Sequence, residues 1–230
     1  MGMPPKAAIL DVDGTLIDSN EAHAQAWVDV GRELGYPVQY VVVRTLVGMG
    51  GDKVMPRVTG LDNDSAEAER VRKRRGEIFR ERYLPRLQPF PRTRELLERM
   101  RAQGLVLAVA RSASEKDLQA LLRQAGVDDL VQARTSSSDV DESKPAPDAV
   151  QAALASAGCA PGEAIMIGDT PYDVQAAQRA GVPVIALRCG GWGDRDLEGA
   201  LAVFADPADL LAHYEGSPLS NGRAEAGPVV

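Results

Sequence analysis

The sequence has few cysteines, few aromatic residues and no long apolar run. Its 230 residues include 2 cysteines and 2 histidines, and aromatic residues make up 4%. Cys159 and Cys189 have neither the spacing of a metal site nor the number needed for a disulfide framework, so we expect a reducing, cytoplasmic compartment. We find no apolar window of about 18 residues and no apolar N-terminal segment of the signal-peptide type, so we expect no membrane partner.

Basic residues are fewer than acidic residues. Lys and Arg number 26 against 33 Asp and Glu, which gives a formal net charge of -7. This balance argues against a general nucleic-acid binder and against binding to acidic lipid surfaces. The length and an apolar content of 44% are sufficient for one domain with a sizeable core, or for a core with a smaller cap.

A short apolar run, residues 7–10, stops at two carboxylates that are one residue apart, Asp11 and Asp13. If the run is a buried parallel strand, both acids lie at the carboxyl edge of a sheet, where open α/β sheets bind ligands. Carboxylates at that edge can hold a hard cation and offer an oxygen as a nucleophile. The alternative interpretation is an ordinary acidic turn, because Asp and Gly are common in turns.

A second apolar run, residues 164–167, is followed by Gly168, Asp169 and Asp173 in the same way. Mg²⁺ prefers octahedral oxygen ligands and keeps several waters, so one or two carboxylates and a phosphate are sufficient to bind it. Asp169 and Asp173 could therefore complete a magnesium site together with the first pair of acids. This donor set suits Mg²⁺ better than zinc.

A third stretch places Lys144 just before a helix that Pro145 and Pro147 help to start. A lysine before a proline is usually only part of a helix entrance. Near two carboxylate clusters, its ammonium group could instead hold a phosphate oxygen while negative charge builds up on it.

The rest of the sequence predicts alternating strands and helices, which is typical of a parallel sheet covered by helices. The predicted strands are 105–110, a short one near Leu130, 164–167 and 182–187, and the predicted helices are 93–103, 115–124, 147–157, 174–180 and 207–214. A helix over 19–34 follows the first strand. Between 36 and 84 only short helices are predicted, so this part is a helical insert.

Taken together and in this order, the three stretches resemble the motifs of the haloacid dehalogenase superfamily, in its phosphoglycolate phosphatase and β-phosphoglucomutase branch. The resemblance covers the chain to about residue 215. It implies an α/β fold with a Rossmann-like parallel sheet core and an inserted α-helical cap domain. We expect the core at 1–17 and 86–215, the cap at 18–85 and a flexible tail at 216–230.

The resemblance also implies roles for individual residues. Asp11 resembles the nucleophile that becomes an aspartyl-phosphate, and Asp13 resembles the general acid/base. Lys144 resembles the lysine that assists the nucleophile and binds phosphate. The implied Mg²⁺ ligands are Asp11, the main-chain carbonyl of Asp13 and Asp169, with Asp173 supporting them.

One position departs from the superfamily pattern. Where the family places a Ser or Thr that binds the transferring phosphate, this sequence has Arg111, followed by Ser112. Three alternatives stay open at this point: Ser112 binds the phosphate from a shifted loop, Arg111 binds it directly, or the site is impaired.

The predicted cap offers candidate substrate contacts at His23, Gly51, Lys53 and Arg75. His23 shares a helix face with Trp27, and a buried structural histidine is an equally good interpretation of that pair. A run of arginines and lysines around residue 74 is most simply a solvated helix face. A basic patch above an acidic site would nevertheless suit an anionic substrate.

The leading hypothesis is a Mg²⁺-dependent phosphatase that acts on a small phosphorylated metabolite, present as a monomer or a homodimer. The first alternative is a β-phosphoglucomutase-like phosphomutase. The second is a catalytically attenuated protein that binds a phosphorylated ligand, which only Arg111 favours. A 2-haloacid dehalogenase fits less well, because that branch lacks the second aspartate, present here as Asp13.

Overall fold

Parallel strands form the centre of the computed structural model, which describes residues 4–110, 115–134 and 142–220. Six strands form one sheet in the spatial order β3-β2-β1-β4-β5-β6. Their bounds are β1 Ala7–Leu10, β2 Val106–Val109, β3 Ala133–Arg134, β4 Ala164–Gly168, β5 Val184–Leu187 and β6 Ala202–Phe204. The α/β fold with a Rossmann-like sheet is therefore confirmed.

The first strand lies in the middle of the sheet. It pairs in parallel with β2 on one side and with β4 on the other, so that Leu10 lies level with Val109 and Ile167. All four residues of β1 are buried, as are all five of β4. Continuous apolar sequences are what a sheet covered on both faces requires, and this is why both strands were predictable.

Helices cover the sheet and build the segment between β1 and β2. They are α1 Asn20–Leu34, α2 Tyr40–Leu46, α3 Gly51–Thr59, α4 Ala66–Ile78, α5 Thr93–Ala102, α6 Glu115–Gln124, α7 Asp148–Ala157, α8 Pro171–Ala180 and α9 Pro207–Ala212. A π-helical turn, Phe79–Tyr83, continues α4, and α1 ends at Gly35, whose φ of 83° is in the left-handed region. Glycine adopts this conformation without steric cost.

Two parts of the sheet differ from the sequence predictions. The short strand predicted near Leu130 is found at β3, a few residues further on, because Leu130 lies in the turn that leads to that strand. The edge strand β6 is not in the prediction at all. It has three partly buried residues, which is too short to give a periodic signal.

We call residues 18–85, which contain α1 to α4, the helical insert. Its two connections to the sheet lie side by side. The amide of Asp18 donates to the carbonyl of Gln88 at 3.0 Å, and the amide of Phe90 donates to the carbonyl of Leu16 at 3.2 Å. The insert shares one buried apolar cluster with the sheet, which includes Met55 and Ile78. Entry and exit of the insert are thus adjacent.

The C-terminal part of the described chain remains packed beyond α9. Leu219 is fully buried and belongs to the main apolar cluster, and Ser217 is also buried. Packed structure therefore extends past residue 216, where the sequence places the start of a flexible tail. Within the described residues, none of the helices combines the length and the apolar character needed to cross a membrane.

Candidate active site

The candidate site is built where β1 and β4 end. Asp11 follows the last residue of β1, and its amide donates to the carbonyl of Ile167 at 2.9 Å. Asp169 follows the last residue of β4. Because the two strands are paired in parallel and in register, both acids lie at the same edge of the sheet.

Asp173 comes to this edge through the start of α8. Its Oδ2 accepts hydrogen bonds from the amide of Thr170 at 3.0 Å and from the Oγ1 of Thr170 at 2.7 Å. The Oγ1 of Thr170 in turn caps the amide of Asp173. This reciprocal pattern is a capping box, and it fixes one carboxylate oxygen while the other faces the site.

Lys144 joins two of the acids. Its Nζ lies 2.5 Å from Oδ1 of Asp11 and 2.7 Å from Oδ1 of Asp173, and the residue is buried. Burial by itself lowers the pKa of an ammonium group, but the charges of Asp11 and Asp173 raise the pKa of Lys144 above its usual value. Lys144 therefore carries a positive charge inside the site.

We call Asp11, Asp169 and Asp173 the acid cluster. Among the described residues, its three carboxylates outnumber the one ammonium group, that of Lys144. One oxygen from each of Asp11, Asp169 and Asp173 lies within 4.8 Å of the others. Burial raises the pKa of Asp11 to about 7, with further upward contributions from Asp173 and Asp13 and an opposing one from Lys144. Burial and the two neighbouring acids also raise the pKa of Asp169 well above its usual value.

A divalent cation fits these residues. Three carboxylates face one ammonium group in a buried site, so a cation bound there would offset the repulsion that raises the pKa values of the acids. The donor atoms are all oxygens, which is the ligand type that Mg²⁺ prefers. Asp11, Asp169 and Asp173 are the residues that could hold it.

Asp13 is held by side chains of the helical insert. Its Oδ1 accepts from the Oγ of Ser19 at 2.6 Å and lies 2.7 Å from the Nε2 of His23. The other ring nitrogen of His23, Nδ1, lies 2.5 Å from the Nη2 of Arg75. Since arginine can only donate, Nδ1 accepts, the ring proton lies on Nε2, and His23 donates to Asp13.

The imidazole of His23 is also clamped by ring contacts. Phe79 stacks on it with ring centroids 4.2 Å apart and planes inclined by 5°. The guanidinium of Arg75 lies over the rings of both Trp27 and Phe79. The sequence left His23 open between a structural and a functional role, and in this arrangement it orients Asp13.

A cavity of about 260 Å³ lies between the sheet edge and the insert. Asp11, Asp13 and Lys144 form its floor. The insert contributes His23, Arg75, residues 47–51 and several apolar side chains, which are Trp27, Val43 and Val54. His23, Gly51 and Arg75, three of the predicted substrate contacts, thus line the cavity.

Lys53 and Arg74 are placed differently. Lys53 does not line the cavity; its Nζ pairs with Oε2 of Glu142 at 3.1 Å. Arg74 forms ion pairs with Glu33 and Glu77 on the outside of the insert. Arg111 and Ser112, the two candidates for phosphate binding after β2, lie outside the described residues.

Two residues that touch the acid cluster were not identified from the sequence. Thr15 and Asn20 both donate hydrogen bonds to Asp169, each at 2.8 Å. Thr15 follows the first acidic motif and Asn20 begins α1, so neither position has a periodic or compositional signal. The only sequence clue was their closeness along the chain to Asp11 and Asp13.

Comparisons with known proteins agree with this geometry. A sequence model of the haloacid dehalogenase-like hydrolase family matches residues 8–187. A phosphoglycolate phosphatase from Rhodospirillum rubrum is 31% identical over an alignment of 236 positions, gaps included, which covers 98% of each chain. Residues 8–187 span both acidic motifs and Lys144.

Solved structures of other proteins have the same fold. A hydrolase from Pseudomonas syringae superposes with a TM-score of 0.84 at 30% identity, over 92% of this chain and 98% of that one. A Bacteroides vulgatus protein, provisionally named as a β-phosphoglucomutase, has a TM-score of 0.83 at 27% identity, over 95% and 91% of the two chains. The chain belongs to the haloacid dehalogenase-like hydrolases, and it is a phosphoric monoester hydrolase.

Proposed function

We propose that the protein is a Mg²⁺-dependent phosphatase that hydrolyses a small phosphorylated metabolite in the cytoplasm, through an aspartyl-phosphate on Asp11. The observation that carries this proposal is the position of Asp11 on the cavity floor, with the ammonium group of Lys144 at 2.5 Å and two further carboxylates within 4.8 Å. A nucleophilic carboxylate next to a cation site is what phosphoryl transfer requires.

In the first step, a carboxylate oxygen of Asp11 attacks phosphorus in line with the ester oxygen. The bond between phosphorus and the ester oxygen breaks, and Asp13 donates a proton to the departing alkoxide. In the second step, Asp13 takes a proton from a water molecule, which attacks phosphorus and releases inorganic phosphate. Asp11 is then regenerated as a carboxylate.

Lys144 and the orienting residues support these steps. The ammonium group of Lys144 holds a phosphoryl oxygen and stabilises the charge that builds up on it. Ser19 and His23 both bind Oδ1 of Asp13, which keeps this carboxylate directed at the ester oxygen. When bound, Mg²⁺ supplies Lewis-acid stabilisation of the same phosphoryl oxygens.

The cavity favours a small leaving group that carries a negative charge. A volume of about 260 Å³ lies at the small end of the range for ligand pockets, so a small phosphate ester suits it. The part of the insert that lines it is largely apolar, and Arg75 is its cationic side chain among the described residues. We therefore propose a short carboxylated phosphate ester such as 2-phosphoglycolate, the substrate in the name of the Rhodospirillum rubrum relative.

A phosphomutase is the second candidate. The resemblance to the Bacteroides vulgatus protein supports it, because that protein is provisionally named as a β-phosphoglucomutase. A mutase returns the phosphoryl group from the aspartate to a sugar faster than water removes it. The two candidates share Asp11 and Asp13 and differ only in the acceptor of the phosphoryl group.

The test is phosphate release from a panel of phosphomonoesters, with and without Mg²⁺. The panel contains 2-phosphoglycolate, glycerol 3-phosphate and glucose phosphates. We expect Mg²⁺-dependent release, fastest with 2-phosphoglycolate, and a loss of at least about 10³-fold in Asp11→Asn. Asp18→Asn is the matched control, because Asp18 is an exposed acid from the same stretch of chain.

Each other result has a defined meaning. Isomerisation of a glucose phosphate without release of inorganic phosphate would support the mutase. Full turnover by Asp11→Asn would overturn the aspartyl-phosphate mechanism. Tight binding of 2-phosphoglycolate without any turnover by the native protein would support the attenuated binding protein.

A further inference from the structure

Asn20 lies behind the acid cluster, away from the cavity floor. It is the first residue of α1 and is only 3% exposed. Its Nδ2 donates to Oδ2 of Asp169 at 2.8 Å and to the carbonyl of Gly190 at 3.1 Å. One amide group thus connects the start of the insert to a carboxylate of the cluster and to the loop after β5.

The second oxygen of Asp169 is held from another side. Oγ1 of Thr15 donates to Oδ1 of Asp169 at 2.8 Å, and Thr15 is fully buried. With one donor on each oxygen, the plane of the carboxylate is fixed. Each carboxylate oxygen retains a further lone-pair direction for another partner.

Two glycines leave the space that this arrangement needs. A Cβ atom at Gly14 would overlap both the amide of Asn20 and Oδ2 of Asp169. A Cβ atom at Gly190 would overlap the same carboxylate oxygen. The chain is therefore built so that Asn20 and Asp169 can approach each other closely.

The fold alone does not explain an asparagine at this position. The Oδ1 of Asn20 is buried and has no hydrogen-bond partner among the described residues. An unsatisfied buried polar atom destabilises a protein. The asparagine is nevertheless present, and its Nδ2 donates to a carboxylate of the acid cluster, so a role in the site explains this side chain.

We propose that Asn20 is a positioning residue that orients Asp169 as a ligand for Mg²⁺. The inference rests on the proposed function, because it takes Asp169 as part of the magnesium site. Partners of ligating carboxylates set the orientation of the ligand and hence the affinity for the metal. Arg44 of α2 donates to the same Gly190 carbonyl, so the insert meets this arrangement at two points.

The test is direct binding of Mg²⁺ to the full-length protein, measured by calorimetry without substrate. Asn20→Leu keeps the branched shape of the side chain, with somewhat larger end groups, and removes both donated hydrogen bonds. We expect its Mg²⁺ affinity to fall by roughly 10- to 100-fold, and saturating Mg²⁺ to restore most of kcat. We also expect a lower thermal stability in EDTA, because Oδ2 of Asp169 and the carbonyl of Gly190 each lose a donor, so binding is measured at a temperature at which the variant is folded.

Two further variants complete the design. Gln25→Leu makes the same change on the same helix at a residue that contacts Asp29 instead, and it should leave Mg²⁺ affinity unchanged. Thr15→Val removes the other donor to Asp169 with little change of shape, and it should weaken Mg²⁺ binding in the same direction. Thr15→Val also keeps the inference testable if Asn20→Leu does not fold.

The outcomes separate this inference from the proposed function. If the native protein binds no Mg²⁺, the proposed magnesium site itself is wrong. If the native protein binds Mg²⁺ and both variants bind it within about twofold of the native affinity, only the positioning role is wrong. If the affinity of Asn20→Leu is unchanged in this way while its thermal stability falls, Asn20 is a purely structural residue.

Discussion

The acid cluster at the sheet edge and the face of the insert opposite it are held in place by different interactions. Backbone pairing of β1 and β4 fixes Asp11 and Asp169, and the side chains of the cluster are buried. The insert packs on the sheet through the shared apolar cluster, and beside the cavity it meets the loop before α7 through polar side chains, Asp52 with Ser143 at 2.6 Å and Lys53 with Glu142 at 3.1 Å. The reacting groups are rigidly placed, whereas the face that meets the leaving group can adjust.

This difference assigns separate tasks to the two regions. Chemistry common to all phosphate esters depends on groups that must be held to within about 0.5 Å, and buried strand ends provide that accuracy. Recognition of a leaving group can depend on the more exposed contacts of the insert. Substitutions at the sheet edge should therefore affect every substrate, and substitutions in the insert should affect some substrates more than others.

The largest expected effect is the loss of stability and activity on replacing Lys144, which lies at the sheet edge. Lys144→Met leaves Asp11 and Asp173 buried without their cation, so we expect the free energy of unfolding to fall by about 3–5 kcal/mol in urea titrations. Phosphate release should fall by at least about 10²-fold for every substrate in the panel.

The matched control for this prediction is Lys53→Met. The Lys53 pair with Glu142 lies at the surface, where Glu142 is 67% exposed, and such pairs contribute less than about 1 kcal/mol. Equal losses of stability in the two variants would remove the distinction between a buried, fixed cluster and an adjustable insert face.

A smaller effect, confined to one kind of substrate, is expected at Arg75. Arg75→Gln removes the charge that faces the cavity from the insert, so kcat/KM for 2-phosphoglycolate should fall by about tenfold or more. Glycerol 3-phosphate has no carboxylate and should be affected much less. Lys73→Gln, at an exposed position of the same helix, should change neither value.

The result for Arg75 can also contradict the proposal. A uniform loss across the panel would mean that Arg75 acts through His23 and Asp13 and not on the carboxylate of the leaving group. Arg75 would then act together with Ser19 and His23, the insert residues that hold Asp13.

The smallest expected effect is a pH dependence of stability. Folding raises the pKa of Asp11 from its ordinary value of 3.8 to about 7, so the folded state favours the protonated carboxyl. The contribution of this group to the free energy of unfolding is therefore fully present below pH 3.8 and is lost as the pH rises through about 7. In EDTA, Asp11→Asn should therefore raise Tm by a few degrees at pH 8 and much less at pH 4.5. Asp18→Asn should show no such difference, and an equal change of Tm at both pH values in Asp11→Asn would contradict the raised pKa of Asp11.

Much of the sheet edge was predictable from the sequence. Buried parallel strands have continuous apolar sequences. The sequence alone therefore predicts that Asp11 and Asp169, the residues that follow two such strands, lie at a common edge of the sheet. Lys144 could be assigned only as a possible partner, because its approach to Asp11 depends on a loop whose path is not encoded in a local pattern.

The contacts made by the insert were much less predictable. The positions of His23 and Arg75 are 52 residues apart, and they meet only because α1 and α4 pack against each other. Asn20 illustrates the same limit, since its partners Asp169 and Gly190 are distant in sequence. Contacts of this kind depend on tertiary packing and not on periodicity or composition.

The adjacent entry and exit of the insert have a consequence for how such a protein can change during evolution. Since the chain leaves the sheet at Asp18 and returns beside it at Gln88, a foreign helical segment with similarly spaced ends could be transplanted there without breaking a strand pair. Substrate range could then diversify by exchange of this module, provided that the new segment supplies partners for Asp13 and Asp169 equivalent to Ser19, His23 and Asn20.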